Sequence, residues 1–298
     1  MTDGGMETTL IFRDGLELPS FAAFDLLKDT TGTDAIRRYF EPYIATAREY
    51  GVGLILDSPT WRANPDWGKK LGYTAAELDQ ANRKGVALIE EIRSANDAGL
   101  APIVLSGCVG PRGDGYRPTE MMTAADAERY HAVQIATLSE TSADMVTALT
   151  IPYVEEAIGI ARASRRIGMP VVVSFTVETD GRLPSGQRLK DAIAQVDADT
   201  DGTPSYFMIN CAHPTHFAAV LENGEPWVDR IRGLRANASS KSHADLDEAT
   251  ELDAGDPADL GAQYRTLRPR LRNVNVVGGC CGTDERHVAE VCKAWRDG

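Results

Sequence analysis

No apolar run in this 298-residue chain approaches the roughly 18 residues that a membrane-crossing helix needs, so no spanning segment is expected. Positive charge is also scarce: 31 Lys and Arg face 44 Asp and Glu, and the net charge of −13 repels phosphate backbones and anionic bilayers alike. Neither nucleic acid nor a membrane is therefore an expected partner. The opening Met1-Thr2-Asp3-Gly4-Gly5 has no basic stretch followed by an apolar one, so it does not read as a secretory signal, and a cytoplasmic location is expected. Internal repeats and low-complexity tracts are missing too. Hydrophobic residues at 43% and charged residues at 25% match an ordinary globular protein that buries a large core without disulfides. The five cysteines are an odd number, and in a reducing compartment their placement decides between packing, metal binding and catalysis.

Short β-branched runs alternate with longer amphipathic stretches. Residues 53–56, 103–105, 145–149, 171–176, 206–209 and 274–277 read as strands buried on both faces, with 233–236 as a weaker seventh. The spacing predicts helices over 34–50, 75–97, 124–142, 153–167, 189–196, 257–268 and 284–293. Thr74 with Glu77 has capping-box spacing, and Gly51, Gly99 and Gly168 stand where helices should end. Strand-helix repetition implies parallel strands with right-handed crossovers, hence a single (β/α)8 TIM barrel over residues 1–298. Its first strand is either very short or formed by residues 8–12. The polar, acidic stretch 237–256 is a candidate lid over the barrel mouth.

On this strand assignment, Cys211 and the pair Cys280-Cys281 follow directly on two strands, at the barrel face where active sites are built. Three thiolates with one open position make a catalytic zinc site. The flanking glycines in Gly278-Gly279-Cys280-Cys281-Gly282 allow adjacent sulfurs to turn toward one ion. A thiol bound to Zn²⁺ loses its proton at neutral pH and becomes a nucleophile. A vicinal Cys280–Cys281 disulfide and plain burial stay open as alternatives. Cys108 and Cys292 read as packing residues. The turn at Pro214 is expected to point His213 and His216 away from the sulfurs, and His131, His243 and His287 have no partner identifiable from sequence.

These residues resemble the homocysteine S-methyltransferase family. The resemblance rests on Gly278-Gly279-Cys280-Cys281-Gly282-Thr283, Asn210-Cys211 and Asp3-Gly4-Gly5-Met6-Glu7-Thr8 in the same order and spacing. Gly107–Tyr116 and Ser174-Phe175-Thr176-Val177-Glu178 are also similar, so the likeness covers nearly the whole chain. It implies a zinc-dependent barrel that moves a methyl group from a small onium donor to homocysteine or a related thiol, giving methionine or an analogue. Asp3, Gly4, Glu178 and Asn210 are then substrate-facing positions, with Asp3 directed at the amino group of the bound amino acid. The chain departs from the pattern at Leu149, where the family has a glutamate, and at Asp57-Ser58-Pro59-Thr60-Trp61. Asp57 is a candidate replacement for the missing carboxylate, and Trp61 a candidate ring for a cationic donor. Two alternatives remain: demethylation of a sulfonium or betaine compound onto another thiol, and a non-catalytic redox or metal-sensing protein. The oligomeric state stays open, a homo-oligomer included.

Overall fold

In the computed structural model, which describes residues 1–96, 101–221, 225–247 and 251–296, the strands form one parallel sheet in sequence order. They are β1 (Leu54–Asp57), β2 (Ile103–Val109), β3 (Met145–Ile151), β4 (Val171–Phe175), β5 (Tyr206–Asn210), β6 (Ile231–Ala236) and β7 (Val276–Gly279). The helices are α1 (Met6–Phe12), α2 (Thr30–Tyr50), α3 (Pro65–Lys70), α4 (Ala75–Asn96), α5 (Ala124–Ser139), α6 (Val154–Ile167), α7 (Leu189–Thr200), α8 (Pro214–Phe217), α9 (His243–Asp247), α10 (Pro257–Leu267) and α11 (Glu285–Arg296). The architecture is a curled, TIM-barrel-like α/β fold. The expectation of a strand at residues 8–12 is corrected: Met6–Phe12 is helical, with Met6 and Leu10 buried one helical turn apart.

β4 reads Val-Val-Val-Ser-Phe and is buried throughout, as a parallel strand covered on both faces must be. Phe175 stacks on Phe207 of β5 with ring centroids 6.0 Å apart. The expected stop signals act as such: α2 ends at Gly51 (φ 62°) and α6 at Gly168 (φ 84°), both left-handed positions that glycine occupies without strain. Thr74 and Glu77 cap each other reciprocally, with Glu77 N donating to Thr74 Oγ1 at 3.3 Å and Thr74 N to Glu77 Oε2 at 2.8 Å. Gly99 and Asp97 lie outside the described residues.

Residues 1–3 bridge the two sheet edges. Thr2 N donates to Val277 O at 2.9 Å and Gly279 N to Asp3 O at 2.9 Å, while Ile55 N donates to Met1 O at 2.8 Å. This extended segment carries Asp3 to the same end of the sheet as the last residues of β1 and β7. No helix among the described residues is long and apolar enough to cross a membrane. Thr2→Pro deletes the donor to Val277 O and should lower stability by about 1–3 kcal/mol. Urea unfolding measures this, and an unchanged midpoint would show that residues 1–3 do not hold the edges together.

Candidate metal and substrate site

β5 ends at Asn210 and β7 at Gly279, so Cys211 and Cys280 each follow directly on a strand end, with β6 between them. The sulfurs of Cys211, Cys280 and Cys281 lie within 4.8 Å of one another. Cys211 and Cys280 are joined as a disulfide with Cα atoms 5.4 Å apart, and Cys281 Sγ is free, 3.9 Å from Cys211 Sγ. The vicinal Cys280–Cys281 pairing considered from sequence is therefore not the one formed: a partner across the sheet lies within easy bonding reach. Burial, reinforced by Glu7, pushes the Cys281 thiol up to about 11, so it stays protonated at neutral pH. His213 bonds Thr215 and His216 bonds the Ser240 carbonyl, and neither belongs to the sulfur cluster.

The backbone at the cluster is strained. Thr150 (φ 64°) and Cys211 (φ 55°) both occupy the left-handed region, which side chains with a Cβ resist. Asn210 stabilises this arrangement: its Oδ1 accepts from Thr150 N at 2.9 Å and Ser174 Oγ at 2.6 Å, and its Nδ2 donates to Thr150 Oγ1 at 2.8 Å. Nδ2 also lies 3.8 Å from Cys280 Sγ. The amide of Asn210 thus positions β3 and the sulfurs.

Arg235, the fifth residue of β6, is 5% exposed and points inward. Its Nη2 donates to Asp3 Oδ1 at 2.5 Å, its Nη1 pairs with Asp57 Oδ2, and its Nε donates to Gly279 O at 3.1 Å. Tyr39 donates to the other Asp3 oxygen at 3.0 Å. Both carboxylates proposed from sequence for a substrate amine are therefore already paired within the protein. Burial lifts the Asp3 carboxyl to about 6, against the pull of Arg235 and with Asp57 adding to the rise. Asp57 Oδ1 is buried and has no hydrogen-bond partner among the described residues.

A cavity of about 340 Å³ opens above the sulfurs, a volume suited to a small molecule. Asp3, Gly4, Asp57, Trp61, Leu149 and Asn210 line it. Trp61 Nε1 donates to Leu149 O at 3.1 Å, and the cation against the Trp61 ring is the chain's own Arg62, whose guanidinium carbon is 4.6 Å from the ring centroid. Glu178 is not among the lining residues. It is linked to the cavity through His243, whose Nδ1 is 3.3 Å from Glu178 Oε1 and whose ring lies tilted against that of Tyr116 with centroids 4.1 Å apart. The other two histidines without a sequence partner also have one: His131 pairs with Glu156 at 2.9 Å and His287 with Asp284 at 2.9 Å. Cys108 is buried yet lines the cavity, while Cys292 packs against Met1.

A model of the homocysteine S-methyltransferase family matches residues 1–295. The chain belongs to this family. Homocysteine S-methyltransferase YbgG of Bacillus subtilis (strain 168) is 23% identical over 199 residues, 64% of this chain, and the match spans 61% of that relative's length. The oxidised form of the Escherichia coli homocysteine methyltransferase MmuM shares the fold with a TM-score of 0.74 and 21% identity, over 97% of this chain and 94% of that one. Its metallated form gives 0.73 at 18% identity, over 98% and 95%.

Within this family member, three lining residues escaped the reading of the sequence. Arg235 had a signal, a guanidinium flanked by Leu234 and Ala236 on a strand whose other arginine, Arg232, is exposed, and a buried guanidinium must be paired. Arg62 stood beside a tryptophan already singled out. Glu7 lay inside a quoted motif, and its carboxyl is held up at about 7 by burial, with Asp3 adding to the rise. A carboxyl raised on folding stabilises the protein below its unfolded pKa, and that contribution is lost as pH climbs through the folded value. Glu7→Gln should therefore remove part of the stability loss between pH 4.5 and about 7, read from urea midpoints at both ends of that window. Parallel pH profiles for variant and parent would contradict it.

Proposed function

We propose that the chain is a zinc-dependent methyltransferase that moves a methyl group from a small onium donor to the thiol of homocysteine or a related thiol. The observation that carries this reading is the meeting of Cys211, Cys280 and Cys281 within 4.8 Å beside a cavity of about 340 Å³, in a homocysteine S-methyltransferase family member. The donor set fits the ion. Sulfurs at about 2.3 Å from a tetrahedral centre stand about 3.8 Å apart, and Cys211 and Cys281 are 3.9 Å apart. Reduction of the Cys211–Cys280 bond completes the set. Bound there, zinc would keep one position open for an incoming thiol and stabilise it as the anion.

The chain's own groups do the rest. Cys211 is buried and Cys280 and Cys281 are half-buried, and a setting poor in water favours transfer of a methyl group between a cationic donor and an anionic sulfur. Asp57 Oδ1, which has no hydrogen-bond partner among the described residues, would accept a hydrogen bond from a substrate ammonium. Asn210 holds Cys280 in place through Nδ2, while Asp3 and Gly4 form the wall at the N-terminal segment. Trp61 supplies an aromatic wall, and Glu178 steadies His243. Residues 1–3 act as the eighth stave of a single (β/α)8 barrel, supported by their hydrogen bonds to β7 and β1. Segment 237–256 acts as a lid, since Asn237, His243, Leu246 and Leu252 line the cavity; its residues 248–250 lie outside the described set.

Leu149 favours a second reading, demethylation of a sulfonium or betaine compound onto a different thiol, because an apolar side chain stands where the family motif offers a carboxylate. Incubating the reduced protein with carbon-13 methyl donors and a panel of thiols separates the two. Labelled methionine supports the first reading, a labelled alternative thioether the second, and no labelled thioether rejects both. The reduced protein should hold one zinc per chain by elemental analysis. Cys281→Ser should release it and cut methyl transfer by more than about 100-fold, beyond the effect of losing an outer partner of a metal ligand.

A further inference from the structure

The cavity contains a cation whose guanidinium nitrogens Nε and Nη1 have no hydrogen-bond partner among the described residues. Arg62 follows β1 and lines the cavity, and its Nε and Nη1 are buried without a hydrogen-bond acceptor. Glu7, Asp114 and Tyr116 are its electrostatic neighbours, yet none forms an ion pair or hydrogen bond with it. Arg235, the other guanidinium in the wall, is fully engaged by Asp3, Asp57 and the Gly279 carbonyl. Burial pulls the Arg62 pKa below the usual arginine value, as happens when desolvation is not offset by a partner.

The guanidinium is also held still. Its central carbon lies 4.6 Å from the Trp61 ring centroid and 3.7 Å from that of Trp67. Trp61 is itself fixed by its bond to Leu149 O, and Trp67 sits on α3, whose first turn is capped by Asn64. A guanidinium stacked on aromatic faces keeps its in-plane N–H groups for hydrogen bonding, and these match the two oxygens of a carboxylate. Elsewhere in the wall, Asp57 Oδ1 is an acceptor with no donor, and Glu7 adds a second carboxyl. A free cation and a free acceptor in one cavity complement a zwitterion.

We propose that Arg62 is the carboxylate-binding residue of this cavity, and that its ligand is zwitterionic, with its cationic centre toward Asp57 and Glu7. This deepens the methyl-transfer reading, in which both the amino-acid thiol and an onium donor can carry a carboxylate. Calorimetric titration of the reduced full-length protein with homocysteine and its carboxamide, and with glycine betaine and its carboxamide, separates these two sources. The wild-type protein should prefer the acid over the amide of one pair by about 10-fold or more, the worth of one charge-assisted hydrogen bond. Arg62→Gln should bring that preference to within about twofold. Arg62→Lys, which keeps the charge without the planar fork, should reduce it by about threefold or more while retaining some. The Lys variant decides the question if the Gln variant does not fold by circular dichroism. Equal affinity for acid and amide in both pairs, absence of binding included, overturns the proposal, as does an undiminished preference in the folded variants. Because binding is read without turnover, a protein that shows the preference but transfers no methyl group refutes the methyl-transfer reading alone.

Discussion

A single buried guanidinium ties the site to the fold. Arg235 reaches from β6 to Asp3 in the N-terminal segment and Asp57 at the end of β1, so three separate parts of the chain meet at one charge. Two carboxylates and one cation in a dry setting are tolerable only with close geometry and further hydrogen bonds, which Tyr39 and the Gly279 carbonyl provide. The same contacts place the N-terminal segment beside β7, whose last residue precedes the adjacent Cys280 and Cys281. Breaking the charge cluster would disturb both the sheet edges and the sulfur site.

The sulfur cluster depends on a second arrangement of the same kind. Asn210 directs its whole amide into Thr150, Ser174 and Cys280, which holds two left-handed residues at the cavity floor. Strain of this sort persists only where the surroundings over-determine it. A polar side chain at a strand end, read from sequence as a substrate contact, here shapes the floor on which the sulfurs sit.

The polar inventory of the cavity follows from what the protein has already used. Asp3 is shared between Arg235 and Tyr39, and the Trp61 ring carries Arg62. Among the described lining residues, the Arg62 edge, one Asp57 oxygen and Asn237 Oδ1 remain without hydrogen-bond partners, while Leu149 leaves part of the wall apolar. The chain thus keeps the cysteine signature of its family but presents a wall whose charges are arranged by its own residues.

Much of the framework was legible in the residues themselves. Runs such as Val171–Phe175 and the glycine stops at Gly51 and Gly168 declared strands and helix ends, because strand burial and left-handed backbone impose local rules on composition. The placement of Cys211 and Cys280 after strand ends was legible for the same reason. What only the tertiary structure decided was pairing across the sheet: Arg235 with two distant aspartates, Arg62 with two tryptophans, Cys211 with Cys280, and Met6–Phe12 as a helix. Periodicity tells which way a side chain faces. Which charge it meets depends on the curvature and register that bring remote strands together, and those are properties of the whole sheet.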